Sequence, residues 1–344
     1  MKCSAIIICI CLCIALLNAC HKHDNNHAQT TPWQWNIPSG WPSPAYDLQA
    51  NPLTIQSFEL GRKLFYDGRL SGDGNYPCSS CHQQQAGFGT FDHDLSHGYN
   101  HSHTIRNAPP LINVVWSSSY RWDGRMNSME EQIASHISSI IDMGSNVDKA
   151  VQNISTDTSY QRMFAAAYGT PQVNSDRMLK ALASFVNALV STESKYDRVK
   201  KGIETFSSSE QTGYDIFKAS CAGCHTEPLF TDGSFRNIGL PLNNSTNDKG
   251  RMDVTGLPGD SLKFRVPTLR NVLFTFPYMH DGRIQSALQV MDHYSGGVQQ
   301  SNTLDPLLKN SIPLSAMEKL YLLEFLKTLS DPAFIENSMF SEPD

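Results

Sequence analysis

Two short stretches, Cys78-Ser79-Ser80-Cys81-His82 and Cys221-Ala222-Gly223-Cys224-His225, share one pattern. Each matches the signature of covalent haem attachment, in which two thiols add to the porphyrin and the next residue presents an imidazole to iron. A thioredoxin-like redox pair or a zinc site also uses paired cysteines, but neither requires a histidine at this place twice. The sequence therefore predicts two covalently bound haems c, with His82 and His225 as proximal ligands. The attaching thiols are Cys78, Cys81, Cys221 and Cys224.

The two signatures belong to a longer internal duplication. Asn113-Val114 and Trp122-Asp123-Gly124-Arg125 in the first half correspond to Asn271-Val272 and His280-Asp281-Gly282-Arg283 in the second. The offset is 158 residues for both pairs of segments (271 minus 113 and 280 minus 122). Because a repeat of this kind indicates two copies of one structural unit, we expect two similar domains, each with a haem and an Asp-Gly-Arg turn.

The rest of the pattern is helical. A helix is expected with Ser175 as its N-cap, and four apolar residues share one face of it: Met178, Leu182, Phe185 and Leu189. Ser207-x-x-Glu210 and Ser315-x-x-Glu318 have the capping-box pattern that opens a helix, whereas strand-like alternation is nearly absent. We therefore predict a mainly α fold of two cytochrome c-like haem domains, residues 51–200 and 201–344, packed around an interdomain interface.

The N-terminus has the features of an export signal. Met1-Lys2 precedes an apolar run, residues 6–17, that is too short to span a bilayer comfortably. The run leads into Leu17-Asn18-Ala19-Cys20, which resembles the lipobox of bacterial lipoproteins, whose cysteine receives lipid. We predict a signal peptide over residues 1–19, a polar tether and extension over 20–50, and a periplasm-facing lipoprotein tethered to a membrane; secretion without lipid is the alternative. The net charge of -6 gives no reason to expect nucleic acid as a partner.

The order of the motifs resembles the bacterial diheme cytochrome c peroxidase family, which includes the methylamine-utilisation protein MauG. The resemblance covers residues 53 to 328 and is more specific than either haem signature alone. It implies that the N-terminal haem meets peroxide and that the C-terminal haem handles electrons. Besides the haem signatures, the matching segments are Arg106-Asn107-Ala108-Pro109, Trp122-Asp123-Gly124-Arg125, Asp142-Met143, Val266-Pro267-Thr268-Leu269-Arg270-Asn271 and Pro277-Tyr278-Met279-His280-Asp281-Gly282.

The resemblance also implies distal haem ligands. In the family, the distal ligand of the second haem lies fourteen residues after the histidine of the His-Asp-Gly turn, which here is Tyr294; MauG-like members have tyrosine there and peroxidases generally have methionine. A phenolate stabilises oxidised iron, so Tyr294 predicts a haem of lower potential, with Met291 or His293 as alternatives. At the first haem, peroxidases carry a histidine in the loop after the signature, matched here by His97. The internal repeat points instead to His136, as a ligand or as an acid/base.

Cleavage of bound peroxide needs a base that moves a proton from one oxygen to the other. The family uses a glutamate just before a methionine, and this chain has Asp142 before Met143, so Asp142 and His136 are predicted as the catalytic pair. Gln132 matches a neighbouring pocket residue, and Trp122 matches the tryptophan between the haems of relatives. A calcium site between the haems, completed by waters, is implied by three residues with oxygen ligands: Asn107 and the backbone carbonyls of Thr275 and Pro277.

Three functions fit these residues. The first is a diheme peroxidase that reduces hydrogen peroxide at the N-terminal haem, with electrons delivered through the C-terminal haem by a small c-type cytochrome, a cupredoxin or a quinol. The second is a MauG-like diheme oxidase that uses high-valent iron to oxidise a protein or an organic substrate. The third is an electron-transfer cytochrome without catalytic turnover. The resemblance allows a homodimer.

The two signatures predict how much attached haem adds to the mass of the mature polypeptide. When the chain is produced with a working haem-attachment system, the mature polypeptide should carry two covalent haem additions, because each signature contributes two thioether bonds. Mass spectrometry of the denatured protein measures this number. A variant with both Cys78→Ala and Cys81→Ala should carry one addition, and a wild-type mass with fewer than two would contradict the assignment.

Overall fold

The structure of the protein is a computed structural model that describes residues 29–35, 37–91 and 93–343. The predicted signal peptide and the lipidation at Cys20 lie outside these residues. Helices and turns dominate, and the strands β1 (Phe235–Arg236) and β2 (Phe264–Arg265) form one short antiparallel pair, which confirms the mainly α prediction. The α-helices of the described residues, numbered in chain order, are α1 (Ile55–Phe65), α2 (Met129–Ser138), α3 (Val147–Ser155), α4 (Thr158–Tyr168), α5 (Ser175–Asn187), α6 (Lys195–Lys200), α7 (Ser208–Ser220), α8 (Met252–Thr255), α9 (Ala287–Asp292), α10 (Ala316–Thr328) and α11 (Pro332–Ile335).

Each half of the chain is built on one closely packed pair of helices: α1 packs against α5, and α7 packs against α10. A glycine permits the close approach in each pair. A β-carbon on Gly61 would lie 1.9 Å from the carbonyl oxygen of Ala181, and a β-carbon on Gly213 would lie 1.9 Å from that of Tyr321. The two helix pairs are therefore copies of one arrangement, as the internal repeat predicts.

The repeated turns also share one backbone conformation. Asn113 and Asn271 both have a left-handed backbone, with φ of 58° and 57°. Their side chains meet in one buried network, because Asn113 donates to the Ser191 carbonyl at 3.2 Å and Asn271 donates to the Ser191 hydroxyl at 2.9 Å. The same hydroxyl donates to Asp331 at 2.8 Å. These buried contacts join the two halves at their equivalent turns.

Two apolar cores follow from this packing. The first core surrounds α1 and α5, and the second surrounds α7 and α10. The C-terminal segment returns to the first core, where Phe334, Ile335 and Phe340 are buried. The ring centroid of Phe340 lies 6.2 Å from that of Phe58 on α1. The end of the chain thus ties the second half to the first, and the domain boundary at residue 200 stays a prediction.

Local sequence signals located the helix starts. Ser207 with Glu210 and Ser315 with Glu318 form capping boxes at the starts of α7 and α10, as predicted. The predicted N-cap of α5 is wrong by one residue, because the Asn174 side chain accepts a hydrogen bond from the Arg177 backbone N–H and Ser175 is already helical. The apolar face of this segment is buried, as expected: Met178, Leu182, Phe185 and Leu189.

Part of the N-terminal extension packs against the body of the protein. The ring centroid of Trp33 lies 4.4 Å from that of Phe58, and that of Trp41 lies 5.0 Å from that of Trp116. The extension is therefore in contact with the first core from Trp33 onward. None of the helices in the part of the chain that the structure describes has the length and apolarity needed to cross a membrane.

The two glycines at the helix contacts predict a large loss of stability on substitution. Gly61→Ala and Gly213→Ala should each lower the free energy of unfolding of the holoprotein by about 1–3 kcal/mol or more, because the added methyl group meets a backbone carbonyl. Thermal unfolding followed by circular dichroism measures the change. Gly259→Ala is the control, since a β-carbon there meets no atom within 4 Å. Equal melting temperatures for all three variants would contradict this account of the fold.

Candidate active site

Each haem signature ends in an imidazole that the backbone orients. The first signature begins as a 3-10 turn over residues 78–80. His82 Nδ1 lies 2.7 Å from the Phe88 carbonyl oxygen, and His225 Nδ1 lies 3.1 Å from the Phe230 carbonyl oxygen. Because a carbonyl only accepts, Nδ1 carries the hydrogen in both rings. Nε2 is therefore the nitrogen available for iron in each half.

Burial keeps both imidazoles neutral and the thiols protonated. Burial, with a smaller contribution from the charge of His136, lowers the pKa of His82 to about 4, and burial also lowers the pKa of His225. Burial raises the pKa of Cys78 and of Cys221 to about 12. A thioredoxin-like pair would instead contain a thiol of lowered pKa, so these environments argue against the redox-pair alternative.

The cysteines of the two signatures are free thiols and form no disulfide in the described residues. Among residues 29–35, 37–91 and 93–343, no group of three or more histidine, cysteine, aspartate or glutamate side chains is placed to hold a metal ion directly. Thioether attachment of a porphyrin needs reduced thiols of this kind.

A large apolar cavity adjoins the second signature, beside Cys221, Cys224 and His225. Tyr294 lines the same cavity and belongs to a π-helical turn, His293–Gly297, that directly follows α9. Such turns are frequent at functional sites. The remaining walls are mainly aliphatic and include Leu269, Val272, Ala287, Met291, Leu322 and Leu326.

Of the three candidate distal ligands of the second haem, the structure places two in the cavity and holds the third elsewhere. Burial raises the pKa of Tyr294, and the nearby thiols of Cys221 and Cys224 add to the rise. A ferric ion in the cavity would supply the positive charge that a phenolate needs. Met291 lines the same cavity, whereas His293 Nε2 lies 2.9 Å from the Ile238 carbonyl oxygen. Tyr294 and Met291 are thus the predicted ligands that the structure brings to the His225 cavity.

Arg265 shows that this cavity fits a haem. It lines the cavity, and burial lowers the pKa of its guanidinium. Its Nε donates to the Arg121 carbonyl at 3.4 Å, and no carboxylate of the described residues forms an ion pair with it. A haem carries two propionates, and a buried cation needs an anion beside it. The donor set of His225, the two thiols and Arg265 therefore suits a covalently attached haem.

The first signature adjoins an acid/base pair. His136, in the last turn of α2, places Nδ1 2.9 Å from Asp142 Oδ2. Burial acts to raise the pKa of Asp142, but the hydrogen bond and the charge of His136 outweigh it and hold that pKa below its usual value. Charges on His136 and Asp142 also act on the pKa of His82, so the pair is close to the first haem site. The structure thus brings His136 and Asp142 together, and their role as the catalytic pair stays a prediction.

Arg121 belongs to the same group, although the sequence did not indicate it. Its Nε donates to Gln132 Oε1 at 2.9 Å, and its Nη2 donates to Ser135 Oγ at 2.8 Å. Gln132 therefore holds Arg121, and the charge of Arg121 helps to keep the pKa of Asp142 low. The feature of the sequence that could have pointed to Arg121 is its position directly before Trp122.

His97 lies in a cluster of exposed histidines. The centroid of its ring lies 4.5 Å from that of His93 and 4.4 Å from that of His103. Its backbone carbonyl accepts from the Cys81 thiol at 3.6 Å. The backbone of His97 therefore contacts the first signature, and its role as an iron ligand stays a prediction.

Trp122 lies between the two halves and lines the cavity of the second haem. Its Nε1–H donates to the Asn107 carbonyl at 2.9 Å, and its own carbonyl accepts from the Arg265 backbone N–H at 2.7 Å. Trp122 is therefore held by contacts from both halves of the chain, at its indole by the first half and at its backbone by the second. The placement of Trp122 between the two haems stays a prediction.

A buried charge bridge supports the Trp122 turn. Asp123, the next residue, is fully buried and accepts from Arg106 at 2.6 Å. Arg106 also donates twice to Asp248 of the second half, at 2.6 and 2.7 Å. Removing one partner of a buried ion pair lowers stability, so these ion pairs hold the two halves in a fixed relative position next to the indole of Trp122.

The three residues predicted at a calcium site line one cavity: Asn107, Thr275 and Pro277. Asn107 is buried, and its Nδ2 donates to the Asp94 carbonyl at 3.1 Å. Its backbone N–H donates to the His280 carbonyl at 2.8 Å. The amide oxygen of Asn107 is then the group that suits a hard cation, but the calcium ion itself stays a prediction.

Two oriented imidazoles on a duplicated helical scaffold define the protein as a diheme c-type cytochrome, and the acid/base pair beside one of them is typical of an enzyme. Comparison with known proteins agrees. Residues 55–205 match the model of a family described as di-haem cytochrome c peroxidase.

Individual relatives extend this match to most of the chain. The methylamine utilization protein MauG of Methylorubrum extorquens is 33% identical over 292 residues, which cover 83% of this chain and 82% of MauG. The cytochrome c551 peroxidase of Nitrosomonas europaea is 35% identical over 245 residues, which cover 70% of this chain and 73% of that protein. The crystal structure of a MauG-like protein associated with microbial copper homeostasis is 33% identical, has a TM-score of 0.84, and covers 90% of this chain and 99% of that one. The chain therefore belongs to the diheme cytochrome c peroxidase and MauG family, a family of oxidoreductases with two haems c.

Proposed function

We propose that the chain is a diheme peroxidase that reduces hydrogen peroxide beside His82, with electrons delivered through the haem of His225. The observation that carries the proposal is the hydrogen bond of 2.9 Å between His136 and Asp142, close to His82. The relative named cytochrome c551 peroxidase supports the same substrate. The haems, when bound, supply the iron that binds peroxide and carry the electrons that reduce it.

His136 and Asp142 are suited to move a proton within bound peroxide. The low pKa of Asp142 keeps it ionised, so it accepts the Nδ1 hydrogen of His136 and leaves Nε2 able to take a proton. His136 takes the proton of the inner oxygen and returns it to the outer oxygen, which leaves as water. Asp142 holds the imidazole in the required tautomer during both transfers.

The complete reaction converts hydrogen peroxide, two protons and two electrons into two waters. A small c-type cytochrome, a cupredoxin or a quinol is the proposed class of electron donor. Trp122 is proposed as the relay between the haems, because its oxidisable indole lines the second cavity and is held by the Asn107 carbonyl. A side chain held at both its ring and its backbone loses little energy to reorganisation when it passes an electron.

The proposal includes a location and a structural ion. The sequence Leu17-Asn18-Ala19-Cys20 supports a lipid-tethered protein that faces the periplasm, where such electron donors are found. A Ca²⁺ between the haems is supported by the cavity wall that Asn107, Thr275 and Pro277 share. Oxygen ligands of this kind match the preference of calcium.

Substitution of His136 tests the peroxidase proposal. His136→Ala should lower the rate constant for the reaction of the holoprotein with peroxide by about 10²- to 10⁴-fold, because the proton transfer loses its base. Asp142→Asn should cost less, since the imidazole remains but loses its fixed tautomer. Stopped-flow absorbance with a reduced donor cytochrome measures both.

His101→Ala is the matched control, because His101 is an exposed histidine of the same half. It should leave the rate constant unchanged. A His136→Ala protein with two haems attached that reacts with peroxide within twofold of the wild-type rate would reject the proposal.

A MauG-like oxidase is the second candidate, and Tyr294 is the observation that favours it. Tyr294 lines the cavity of His225, and a phenolate ligand stabilises oxidised iron. The MauG of Methylorubrum extorquens, 33% identical, supports the same alternative. In this case the oxidising equivalents of peroxide pass to a protein or an organic substrate, and the enzyme reacts with peroxide without prior reduction.

Tyr294→Phe tests the ligand on which this candidate depends. It should raise the reduction potential of one haem by roughly 0.1 V or more, because axial ligands set haem potentials over a range of about 0.8 V. Tyr278→Phe is the matched control, since Tyr278 is a partly buried tyrosine that lines the same cavity. Spectroelectrochemical titration measures both potentials. A shift in the Tyr278→Phe protein and none in the Tyr294→Phe protein would contradict the ligand assignment.

A further inference from the structure

Arg121 has no carboxylate partner, in contrast to most of the arginines that the structure describes. Most arginines near the interior form ion pairs with carboxylates, for example Arg106 with Asp248, Arg125 with Asp123, Arg236 with Asp305 and Arg270 with Asp197. The partners of Arg121 are instead the neutral side chains of Gln132 and Ser135. In the part of the chain that the structure describes, no carboxylate lies within ion-pair distance of its guanidinium. Its charge is therefore partly buried and held by neutral side chains, and the carboxylate of Asp142 acts on it from beyond ion-pair distance.

The neutral partners fix where this charge lies. Gln132 and Ser135 both belong to α2, the helix that carries His136. Gln132 lies one turn before His136, and Ser135 is adjacent to it in the sequence. The guanidinium thus lies along the part of α2 that presents the acid/base pair. The backbone of Arg121 is left-handed, with φ of 67°, as is that of Met279, its counterpart in the repeat, with φ of 74°.

We propose that Arg121 is a third functional group of the peroxide site, a fixed cation that stabilises the negative charge on the departing oxygen while His136 moves the proton. This inference rests on the proposed peroxidase function. The O–O bond breaks with its electron pair on the outer oxygen, which takes the proton from His136 and leaves as water. The inner oxygen takes up two electrons from the donor cytochrome and two protons from the solvent and becomes the second water.

A cation of this kind is effective because it is positioned in advance. Two hydrogen bonds already hold the guanidinium, so it does not need to reorganise when charge develops on the oxygen. Partial burial also reduces the screening of the charge by water. The same surroundings make the charge of Arg121 costly to bury without an anion in contact with it. A catalytic role therefore fits Arg121 better than a stabilising one.

Fluoride tests the cation without any turnover of peroxide. Fluoride binds ferric haem as an anion, so a cation beside the open position strengthens its binding, and an absorbance titration of the oxidised holoprotein measures the affinity. Arg121→Leu should weaken fluoride binding roughly 10- to 100-fold, as expected for loss of one charged hydrogen bond. The same variant should slow the reaction with peroxide about 10²-fold. Arg121→Lys, which keeps the charge, should retain more fluoride affinity than Arg121→Leu.

The matched control is Arg162→Leu, which removes an exposed arginine of α4 in the same half and should leave both quantities unchanged. If the Arg121→Leu protein fails to retain both haems, Arg121→Gln replaces it, since glutamine keeps hydrogen-bonding ability without the charge. Haem content and melting temperature are measured for every variant.

Several results would overturn the proposal. One is a variant without the charge that binds fluoride within twofold of wild type, even if its haem pocket is less stable, because Arg121 would then hold a haem propionate. Another is equal fluoride affinity of the lysine and glutamine variants, and a third is a wild-type protein that binds no fluoride. A wild type that binds fluoride through Arg121 but consumes no peroxide would reject the peroxidase function and keep the cation assignment.

Discussion

The orientation of two imidazoles is the constraint on which the rest of the structure depends. His82 and His225 each donate the Nδ1 hydrogen to a backbone carbonyl, of Phe88 and Phe230, within the loop that follows the signature. Thioether bonds would hold a porphyrin to the same turn, so the loop sets which nitrogen meets iron. Each loop is in turn supported by one tight helix pair, and the glycine at its contact permits the packing.

The two halves of the internal repeat carry side chains of different chemistry at equivalent positions. The residue fourteen positions after Trp122 is His136, and the residue fourteen positions after His280 is Tyr294. His136 is partly exposed, with 39% of its side chain accessible, and its partner is an ionised carboxylate, so it is suited to exchange protons. Tyr294 lines an apolar cavity, where burial raises the pKa of its phenol. The proposed division, with proton transfer in the first half and electron handling in the second, is consistent with these different surroundings.

The features that could be predicted from the sequence are those set by local patterns of residues. The haem signatures, the 158-residue repeat and the capping boxes of α7 and α10 each depend on residues a few positions apart, and the structure agrees with them. Contacts between distant segments could not be predicted in this way. Arg121 contacts Gln132 and Ser135 of α2, and no sequence motif indicates these contacts. The return of Phe340 to the first core likewise depends on the final packing of the whole chain.

Electron paramagnetic resonance of the fully oxidised holoprotein tests the division of labour between the two halves most directly, because it reports the spin state and the ligand set of each iron. The account predicts one high-spin signal, from the haem of His82 with an open position near His136, and one low-spin signal, from the haem between His225 and Tyr294. Two low-spin signals from the oxidised protein, with only a low-spin signal left after half-reduction, would contradict it and would favour an electron-transfer cytochrome without turnover.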